Sequence, residues 1–343
     1  MKVLFTHEVF PPEAFGGGEL VVFEIVKKLI ANGFDIKVLT TGNPKIKEYD
    51  GIQTIRLPVN RYLMNLAAPW IYRHSKDCDL IQTNNYNACY SSFLAGKWAK
   101  KPVVCLVHGM YGDRWIDMRG QVFGRLSKWI EKFQICQKYD KIIFLSEHAR
   151  KEGIKIGIPK RITEVIKPGI PHGFESYKMG KKEHFVLFVG RLAKQKGLDY
   201  LIAAAKELPD VKFLLAGRGE EEKRLKSIAP PNVEFLGFVS QKELIELYAK
   251  AQIFCLPSVG EGFGLVLLEA MASGCAIIST IDIDQEGILI KPKSSEQIKN
   301  AIEFLLDNPA KAIKIGEKNR RLAKRFTWDK FLKRLIKVYN SIA

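Results

Sequence analysis

Residues 256–274 read LPSVGEGFGLVLLEAMASG. The apolar run that ends at Leu256 predicts a buried strand, and the loop that follows it is rich in glycine. Residues 265–273 have the length and composition of a helix, which Gly274 ends as a C-terminal glycine. Bare backbone amides at such a helix start attract anions. The stretch therefore predicts a strand, a loop and a helix of an α/β domain, with the loop suited to an anionic ligand.

Two glutamates in this stretch stand where a polar ligand could reach them. Glu261 lies in the loop, close to a helix start whose dipole favours its charge. Glu269 falls in the second turn of the helix among apolar residues, where an unpaired carboxylate is costly. We therefore expect Glu269 to accept hydrogen bonds from a ligand. The plainer alternative is one dipole partner and one exposed glutamate.

The same alternation of short apolar runs and helical patterns extends through both halves of the chain. Strands separated by helices of that length imply right-handed crossovers and parallel sheets. The sequence therefore predicts two α/β domains, each a doubly wound Rossmann-like fold. The predicted strands are Val3–Thr6, Ile36–Thr40, Asp79–Gln82, Val103–Val107 and Lys141–Leu145 in the first half, and His184–Val189, Val211–Ala216, Val233–Leu236, Ile253–Leu256 and Ala276–Ser279 in the second.

A segment without helical or strand periodicity, residues 167–182, separates the two halves. It reads KPGIPHGFESYKMGKK, and its prolines, glycines and lysines predict an interdomain linker. From residue 296 onward only helical patterns follow, and they predict three closing helices. At 343 residues the chain is long enough for two domains. We assign residues 1–170 to a first domain, 171–325 to a second, and 326–343 to a C-terminal helix.

The composition limits the classes of partner. The chain has 54 lysines and arginines against 37 aspartates and glutamates, a formal net charge of +17. This balance favours phosphate-bearing small molecules, nucleic acid or acidic membrane surfaces. The sequence shows no helix-turn-helix pattern, zinc spacing or aromatic single-strand platform, so we expect no nucleic-acid partner. The six cysteines lack the close spacing of a metal site or redox pair and predict reduced thiols in the cytoplasm.

Candidate ligand groups follow two predicted strands of the first half. Residues 16–18 are three glycines that open a helix, so bare amides and the helix dipole can approach an anion, although the glycines can also relieve a tight turn. His108 stands at the carboxyl edge of the sheet, where open α/β folds bind ligands. Its plainer alternative is a cap of the strand end, and His7 is placed in the same way.

Two cations in the second half are candidates for phosphate binding. Arg191 follows a predicted strand, and Lys196 comes five residues later, just before a helix. Arginine binds a diphosphate through its bidentate fork and lysine as a point charge, so the pair can act as a clamp. Lys194 fits a solvated face.

The stretch EGFGLVLLEAMASG, residues 261–274, resembles the signature of the GT-B glycosyltransferases of glycosyltransferase family 4, the retaining "group 1" transferases similar to glycogen synthase and mannosyltransferases. The segments LFVGRLAKQKGLDYLIAAAKEL (187–208), LLAGRGEEEKRL (214–225), HEVFPPEAFGGGEL (7–20) and FTWDKFLKRLIKVY (326–339) resemble the same family, so the likeness covers nearly the whole chain. The resemblance implies two Rossmann-like domains facing a cleft, with the C-terminal helix returning to the first domain.

The resemblance also implies an activity and a set of site residues. The activity is retaining transfer of a hexose from a UDP- or GDP-sugar to a lipid-linked or glycan acceptor, with no metal or other cofactor. Arg191 and Lys196 would bind the diphosphate, Glu269 the ribose hydroxyls and Glu261 the hexose. The implied catalytic residues are His108, Glu261, Arg191 and Lys196, and the implied donor-binding residues are Gly17, Gly18, Arg191, Lys196, Gly217, Gly262, Phe263, Gly264, Leu265 and Glu269.

The sequence departs from the family pattern at two places. After CAIIST (275–280) the family has a longer loop with paired glycines and a glutamate, whereas this chain continues directly with IDIDQEGILIKP. The linker has Lys167-Pro168-Gly169 where the family has Pro-Asn-Gly. The short loop keeps two other functions open, a nucleotide-sugar epimerase of GT-B fold and an inactive partner subunit that binds sugar nucleotides. The intact glutamates and cations favour the transferase.

Two segments are candidates for contact with a membrane surface. Residues 110–130 mix arginine and lysine with tryptophan, methionine and phenylalanine, and residues 62–72 are largely apolar. A solvated helix face and a core segment are the alternatives. No apolar run is long enough to span a bilayer. We therefore expect a cytoplasmic protein, with contact at the inner face of the cell membrane as the open question.

Overall fold

A computed structural model of the chain describes residues 1–13, 16–85, 87–174 and 181–343. The chain divides into two compact units, unit 1 with residues 1–116, 120–168 and 328–343, and unit 2 with residues 117–119 and 169–327. The final helix therefore belongs to unit 1. Part of the predicted linker, residues 175–180, lies outside the described residues, as do residues 14 and 15 of the predicted loop before the first helix.

Unit 1 is built on an eight-stranded sheet with the order β3-β4-β2-β1-β5-β6-β7-β8. All neighbouring strands are parallel except β3 and β4, which pair antiparallel. The strands are β1 (Lys2–Thr6), β2 (Asp35–Thr41), β3 (Glu48–Tyr49), β4 (Ile52–Leu57), β5 (Leu80–Asn84), β6 (Val103–Val107), β7 (Lys141–Phe144) and β8 (Thr163–Val165).

Helices connect these strands and cover the sheet. They are α1 (Gly17–Ala31), α2 (Ala68–Ser75), α3 (Cys89–Ala99), α4 (Arg114–Arg119), α5 (Gln121–Ile135) and α6 (Glu147–Lys155), with 3-10 turns at Arg61–Leu66 and Lys160–Ile162, and the closing helix of the chain, Trp328–Asn340.

Unit 2 has a six-stranded parallel sheet with the order β11-β10-β9-β12-β13-β14. Its strands are β9 (Glu183–Val189), β10 (Lys212–Ala216), β11 (Val233–Gly237), β12 (Ala251–Leu256), β13 (Ala276–Ser279) and β14 (Gly287–Leu289). Its helices are α7 (Leu198–Lys206), α8 (Glu222–Ile228), α9 (Gln241–Lys250), α10 (Leu265–Ala272), α11 (Ser295–Asp307) and α12 (Pro309–Ala323), with a 3-10 turn at Lys194–Lys196. The last helix of the chain, Trp328–Asn340, is numbered α13 and belongs to unit 1.

Strand order creates a topological switch point in each unit. In unit 1, β1 lies between β2 and β5, and in unit 2, β9 lies between β10 and β12. The chain continues from β1 to β2 on one side and later places β5 on the other side, and β9, β10 and β12 follow the same pattern. Open α/β sheets bind ligands at the carboxyl ends of the strands beside such a point. In unit 1 this edge carries residues 7 and 85, and in unit 2 residues 190 and 257.

The closing helix α13 is strongly amphipathic, and its apolar side is buried. Tyr339 is fully buried and donates a hydrogen bond of 2.9 Å to Oε1 of Gln82 on β5. Burial of a large aromatic side chain with its hydroxyl satisfied stabilises the docking of this helix. The last turns of the chain thus form part of the core of unit 1.

The structure confirms the predicted fold class, with two Rossmann-like parallel-sheet domains and three closing helices. Strands β6 and β13 have the predicted bounds. The sequence did not predict the two-residue edge strand β3, strand β4, the short edge strand β8, or β14. Within the described ranges, none of the helices combines the length and the apolar character needed to cross a bilayer.

Candidate active site

The loops after β9 and β12 of unit 2 are bound together by their backbones. The carbonyl of Gln195 accepts hydrogen bonds from the amides of Val259, at 2.8 Å, and Gly260, at 3.2 Å. Gly197 has φ of +67°, and a Cβ there would lie 2.2 Å from the carbonyl oxygen of Pro257. Only glycine allows both this backbone conformation and this approach. The loop that carries Lys196 and the loop that carries Glu261 therefore form one structural element.

Lys196 and Glu261 meet at this junction. Nζ of Lys196 lies 2.5 Å from Oε2 of Glu261, and both side chains are mostly buried. The same oxygen accepts a hydrogen bond of 3.3 Å from Ser258, while Oε1 accepts one of 3.1 Å from the amide of Gly262. A mostly buried ion pair with these extra donors holds both charged groups in fixed positions. The structure thus joins three of the predicted site residues, Lys196, Glu261 and Gly262.

Helix α10 begins without a side-chain cap. Gly264 is its N-cap, with φ of +75°, and no side chain bonds the first turn. By contrast, α9 has a complete capping box between Ser240 and Glu243. The amide of Leu267 donates to the carbonyl of Gly264, whereas among the described residues the amide of the half-buried Leu265 has no such acceptor and can bond another partner. Phe263 in the preceding loop is buried.

Helices α7 and α1 begin in the same way. Gly197 is the N-cap of α7 and Gly16 that of α1, and neither helix has a side-chain cap bond. Gly17 and Gly18 form the first turn of α1. All three predicted ligand-binding helix starts are thus glycine N-caps that leave the amides without a side-chain acceptor.

Glu269 is bonded to a residue that the sequence analysis did not identify. The hydroxyl of Tyr248 on α9 donates a 2.8 Å hydrogen bond to Oε2 of Glu269. Burial raises the pKa of Glu269 to about 7, and the bond from Tyr248 acts in the opposite direction. Within the described part of the chain, Oε1 has no hydrogen-bond partner. The protein therefore fixes one of the two carboxylate oxygens of Glu269.

Arg191 and Gly217 have different surroundings from the Lys196 cluster. The side chain of Arg191 is 66% exposed, and its Nε donates a 3.1 Å hydrogen bond to Glu220. Gly217 packs against Gly190, whose carbonyl oxygen would lie 1.9 Å from a Cβ at position 217. Gly217 is required for this close approach of the loops after β9 and β10. Within the described ranges, neither Arg191 nor Glu269 forms a hydrogen bond or ion pair with the Lys196 cluster.

The short loop after Thr280 is a compact turn held by its own side chains. Asp282 accepts a hydrogen bond from the amide of Asp284, and Gln285 bonds the carbonyl of Ile281 and the amide of Ile283. The hydroxyl of Thr280 donates to the carbonyl of Ser258, 2.7 Å away. This turn therefore supports the glutamate loop through Ser258.

In unit 1, His108 lies at the carboxyl edge of β6, as predicted. Its Nε2 is 3.1 Å from Oδ1 of Asn84, and its backbone amide donates to Oδ1 of Asn85. Burial lowers the pKa of His108 to about 4, so the ring is neutral at physiological pH. A Cβ at Gly18 would lie 3.9 Å from the His108 ring. The structure thus brings together Gly18 and His108, at the start of α1.

The sequence analysis identified His7 but not the buried polar network that it forms beside His108. The rings of His7 and His108 are 6.0 Å apart, and burial lowers the pKa of His7 to about 3, with His108 and Arg61 acting in the same direction. The next residue, Glu8, is buried and forms an ion pair with Arg61 and a hydrogen bond with Asn87. The signal available in the sequence was the polar residues directly after two predicted strands.

Among the residues that the structure describes, no three histidine, cysteine, aspartate or glutamate side chains converge in a way that could hold a metal ion. Asp282 and Asp284 have the spacing of a metal-binding pair, but the carboxylate of Asp282 caps the amide of Asp284.

Two family models match the chain. "Glycosyltransferase Family 4" matches residues 15–174, and "Glycosyl transferases group 1" matches residues 172–322. Together they span most of the chain and correspond in turn to the first and second α/β domains.

Characterized and uncharacterized relatives match over nearly the full length. An uncharacterized glycosyltransferase of Methanocaldococcus jannaschii is 25% identical, with 99% of this chain and 98% of the relative covered. A phosphatidyl-myo-inositol mannosyltransferase of Mycobacterium leprae is 26% identical, with 96% of this chain and 94% of the relative covered.

Solved structures show the same fold. HepE of Anabaena, solved with UDP and glucose, has a TM-score of 0.81 at 21% identity and covers 99% of this chain and 100% of its own. Sucrose-phosphate synthase of Thermosynechococcus elongatus has the same TM-score and identity, with 99% and 98% covered. The fold of the present chain is therefore GT-B. With both family models matched in order, the chain belongs to the group 1, family 4 glycosyltransferases.

Proposed function

We propose that this enzyme transfers a hexose from a UDP- or GDP-sugar to a lipid-linked or glycan acceptor, with retention of anomeric configuration and without a metal ion. The observation that carries the proposal is the Lys196–Glu261 pair, fixed between two joined loops beside the uncapped starts of α7 and α10. The HepE structure with UDP and glucose supports a UDP-sugar donor, and the phosphatidyl-myo-inositol mannosyltransferase supports a lipid-linked acceptor.

The diphosphate would bind to the cations of unit 2. Departure of a nucleoside diphosphate develops negative charge, which positioned cations and helix amides can stabilise. Lys196 is preorganised by its partners, whereas Arg191 is exposed and can exchange Glu220 for phosphate. The amides at Gly262, Phe263, Gly264 and Leu265 would complete the anion site.

Two glutamates would recognise donor hydroxyls. Glu261 would take hexose hydroxyls when phosphate binds Lys196, because the carboxylate then loses its ion-pair partner. The oxygen of Glu269 that Tyr248 leaves without a bond would accept from the ribose hydroxyls. In unit 1, the neutral ring of His108 would contact the donor sugar, with Gly17 and Gly18 close to it.

Donor binding tests the proposal before any acceptor is known. Calorimetry with UDP, GDP and ADP, each with and without EDTA, should show binding of UDP or GDP that is insensitive to EDTA. Lys196→Ala should weaken that binding about tenfold or more, because a charge-assisted phosphate contact is lost. Lys226→Ala is the matched control, since Lys226 forms an exposed ion pair with Glu222 in the same unit. No binding of any nucleotide would contradict the proposal, and binding only without EDTA would contradict metal independence.

The proposed retention of anomeric configuration is tested on the reaction product. NMR coupling constants of the first product formed from an α-linked donor should show an α-linkage. A β-linked product would contradict retention, and a free epimerised sugar would favour the epimerase.

A surface of unit 1 supports contact with anionic lipid. On α5, Val122, Phe123, Leu126 and Trp129 are between 52% and 77% exposed, at the spacing of one helix face. Arg125 lies on the same helix and is exposed. Apolar side chains beside basic ones are the chemistry of an interfacial helix.

The second predicted segment is joined to this helix. Tyr62, Leu63 and Leu66 of the 3-10 turn are 49% to 69% exposed, and Trp70 is 52% exposed. Gln134 of α5 donates a 2.6 Å hydrogen bond to Asn65 of the turn. We call these exposed side chains, together with those of α5, the apolar face of unit 1. Its proposed partner is a bilayer with acidic headgroups.

Vesicle sedimentation tests this contact. The protein should bind vesicles that contain phosphatidylglycerol, bind pure phosphatidylcholine vesicles more weakly, and lose binding to both in the variant F123S/W129S. Phe238→Ser is the control, because Phe238 is 77% exposed in unit 2. Equal binding by the double variant and the parent protein would contradict the proposed surface.

A further inference from the structure

Two consecutive asparagines at the end of β5 hold His108. Asn84 is fully buried and Asn85 is 2% exposed. Oδ1 of Asn85 accepts from the amide of His108 at 2.9 Å, and its Nδ2 donates to the carbonyl of Gly109 at 3.0 Å. Asn85 therefore fixes the backbone that carries the imidazole.

Asn84 fixes the ring. Its Nδ2 lies 3.1 Å from the carbonyl oxygen of Thr6, which can only accept a hydrogen bond. The amide nitrogen must therefore face Thr6, and the amide oxygen faces Nε2 of His108 at 3.1 Å. Because this oxygen is also an acceptor, Nε2 must carry a proton.

The other ring nitrogen faces the start of α1. A Cβ at Gly18 would lie 3.9 Å from both Cγ and Nδ1 of His108, so this edge of the ring is turned towards the glycine N-terminus of the helix. Burial keeps the ring neutral at physiological pH, and no carboxylate is among the causes that shift its pKa. A neutral ring with its proton on Nε2 has a lone pair on Nδ1.

We propose that Asn84 and Asn85 are positioning residues that hold His108 as the neutral Nε2–H tautomer, so that Nδ1 accepts a hydrogen bond from a hydroxyl of the donor sugar. The tautomer follows from unit 1 alone, whereas the contact with the sugar rests on the proposed function. His108 in this form is a hydrogen-bond acceptor and not a cation for the leaving phosphate.

The tautomer can be measured directly by NMR on protein labelled with 15N-histidine. The chain has six histidines, so His108→Gln assigns the signal. In the parent protein at neutral pH we expect a protonated Nε2 and an unprotonated Nδ1. A proton on Nδ1 alone, or on both nitrogens, would overturn the assignment. This measurement needs no donor and stands or falls independently of the proposed function.

Variants test the role of Asn84. Asn84→Leu removes both bonds and should give mixed tautomers, with turnover reduced about tenfold or more. Asn84→Asp keeps an acceptor towards Nε2, so Nε2 should stay protonated, but the new carboxylate should raise the pKa of His108 and restore only part of the turnover. Gln82→Met is the control, because Gln82 is a buried amide on the same strand that bonds Tyr339 and not His108. An unchanged tautomer in a folded Asn84→Leu protein would overturn the positioning role.

Addition of the donor tests the contact. With the nucleotide sugar that the enzyme binds, the Nδ1 signal of His108 should move towards the position of a hydrogen-bonded nitrogen. Donor binding by calorimetry without any change at Nδ1 would overturn the acceptor role while leaving the proposed function intact. Failure of every nucleotide sugar to bind would instead count against the proposed function.

Discussion

The ammonium of Lys196 lies 2.5 Å from Oε2 of Glu261, so two residues that the sequence assigned to different parts of a donor form an ion pair with each other. A phosphate that binds Lys196 must compete with this carboxylate. Once the phosphate has done so, Glu261 is free to accept hydrogen bonds from hydroxyls. Under the proposed function, the pair would therefore couple binding of the diphosphate to binding of the sugar.

This coupling predicts opposite effects on two ligands. Glu261→Gln removes the competing charge, so free UDP or GDP should bind a few-fold more tightly. The same variant should bind the nucleotide sugar no more tightly than the parent protein and should transfer the sugar more slowly. Calorimetry and initial rates measure both. Glu222→Gln, which alters an exposed pair with Lys226, should change neither. Weaker binding of the free nucleotide to Glu261→Gln would contradict the competition.

The junction of the two loops predicts a glycine that cannot be replaced. Gly197→Ala should destabilise the protein by about 2–5 kcal/mol, because alanine is strained at φ of +67° and its methyl group would strike the carbonyl of Pro257. Chemical denaturation measures the change. Gly33→Ala is the control, since Gly33 has φ of +83° and open space around it, and it should cost only about 1–2 kcal/mol. Equal costs would show that the two loops do not constrain position 197.

Glu269 predicts a dependence of stability on pH. Its pKa is raised from the usual 4.5 to about 7, so the folded protein holds a proton that the unfolded chain has already lost between these values. The free energy of unfolding contributed by this group therefore falls as pH rises through that window. Glu269→Gln should be more stable than the parent protein at pH 8, by about 1–3 kcal/mol, and no more stable at pH 4. A gain that is the same at both pH values would contradict the raised pKa.

The same carboxylate predicts a loss of donor affinity. Glu269→Ala leaves the ribose hydroxyls without their acceptor and should weaken nucleotide binding by on the order of 1–3 kcal/mol. Calorimetry with the preferred nucleotide provides the measurement, with Glu222→Ala as the control. Unchanged affinity would argue against contact with the ribose.

His108 predicts a different kinetic signature. His108→Ala should lower kcat more than it weakens donor binding, because under the proposed function the ring contacts the donor sugar and not the diphosphate. Steady-state kinetics and calorimetry separate the two effects. Equal turnover in the variant and the parent protein would leave His108 as a structural residue of the strand end.

Much of the fold could be predicted because its signals are local. The buried strands β6 and β13 are short apolar runs between turn residues, and their bounds match the prediction. Strand β4, with the sequence IQTIRL, alternates buried and less buried positions and follows a turn at Gly51. This alternation is a strand signal that the sequence analysis did not recognise. Strands β8 and β14 have only three residues each, too few to show an alternating pattern.

The candidate site could be predicted only in part, because its partners are distant in sequence. The glycines and glutamates of the 256–274 stretch have a local signal. Tyr248, which fixes Glu269, is 21 residues away, and the local sequence does not distinguish it from other tyrosines on amphipathic helices. Asn84 and Asn85 were visible as polar residues at the end of a strand, but their bonds to His108 depend on which strands are neighbours in the sheet.

Release of nucleoside diphosphate is the sharpest test of the proposed transferase. A panel of UDP-, GDP- and ADP-sugars should be incubated with the enzyme, with and without EDTA, beside Glu261→Ala and the control Glu222→Ala. We expect slow release of nucleoside diphosphate from a UDP- or GDP-sugar. This release should persist in EDTA, disappear in Glu261→Ala and be unchanged in Glu222→Ala. Release that is equal in Glu261→Ala, or no release and no binding across the panel, would contradict the proposed function.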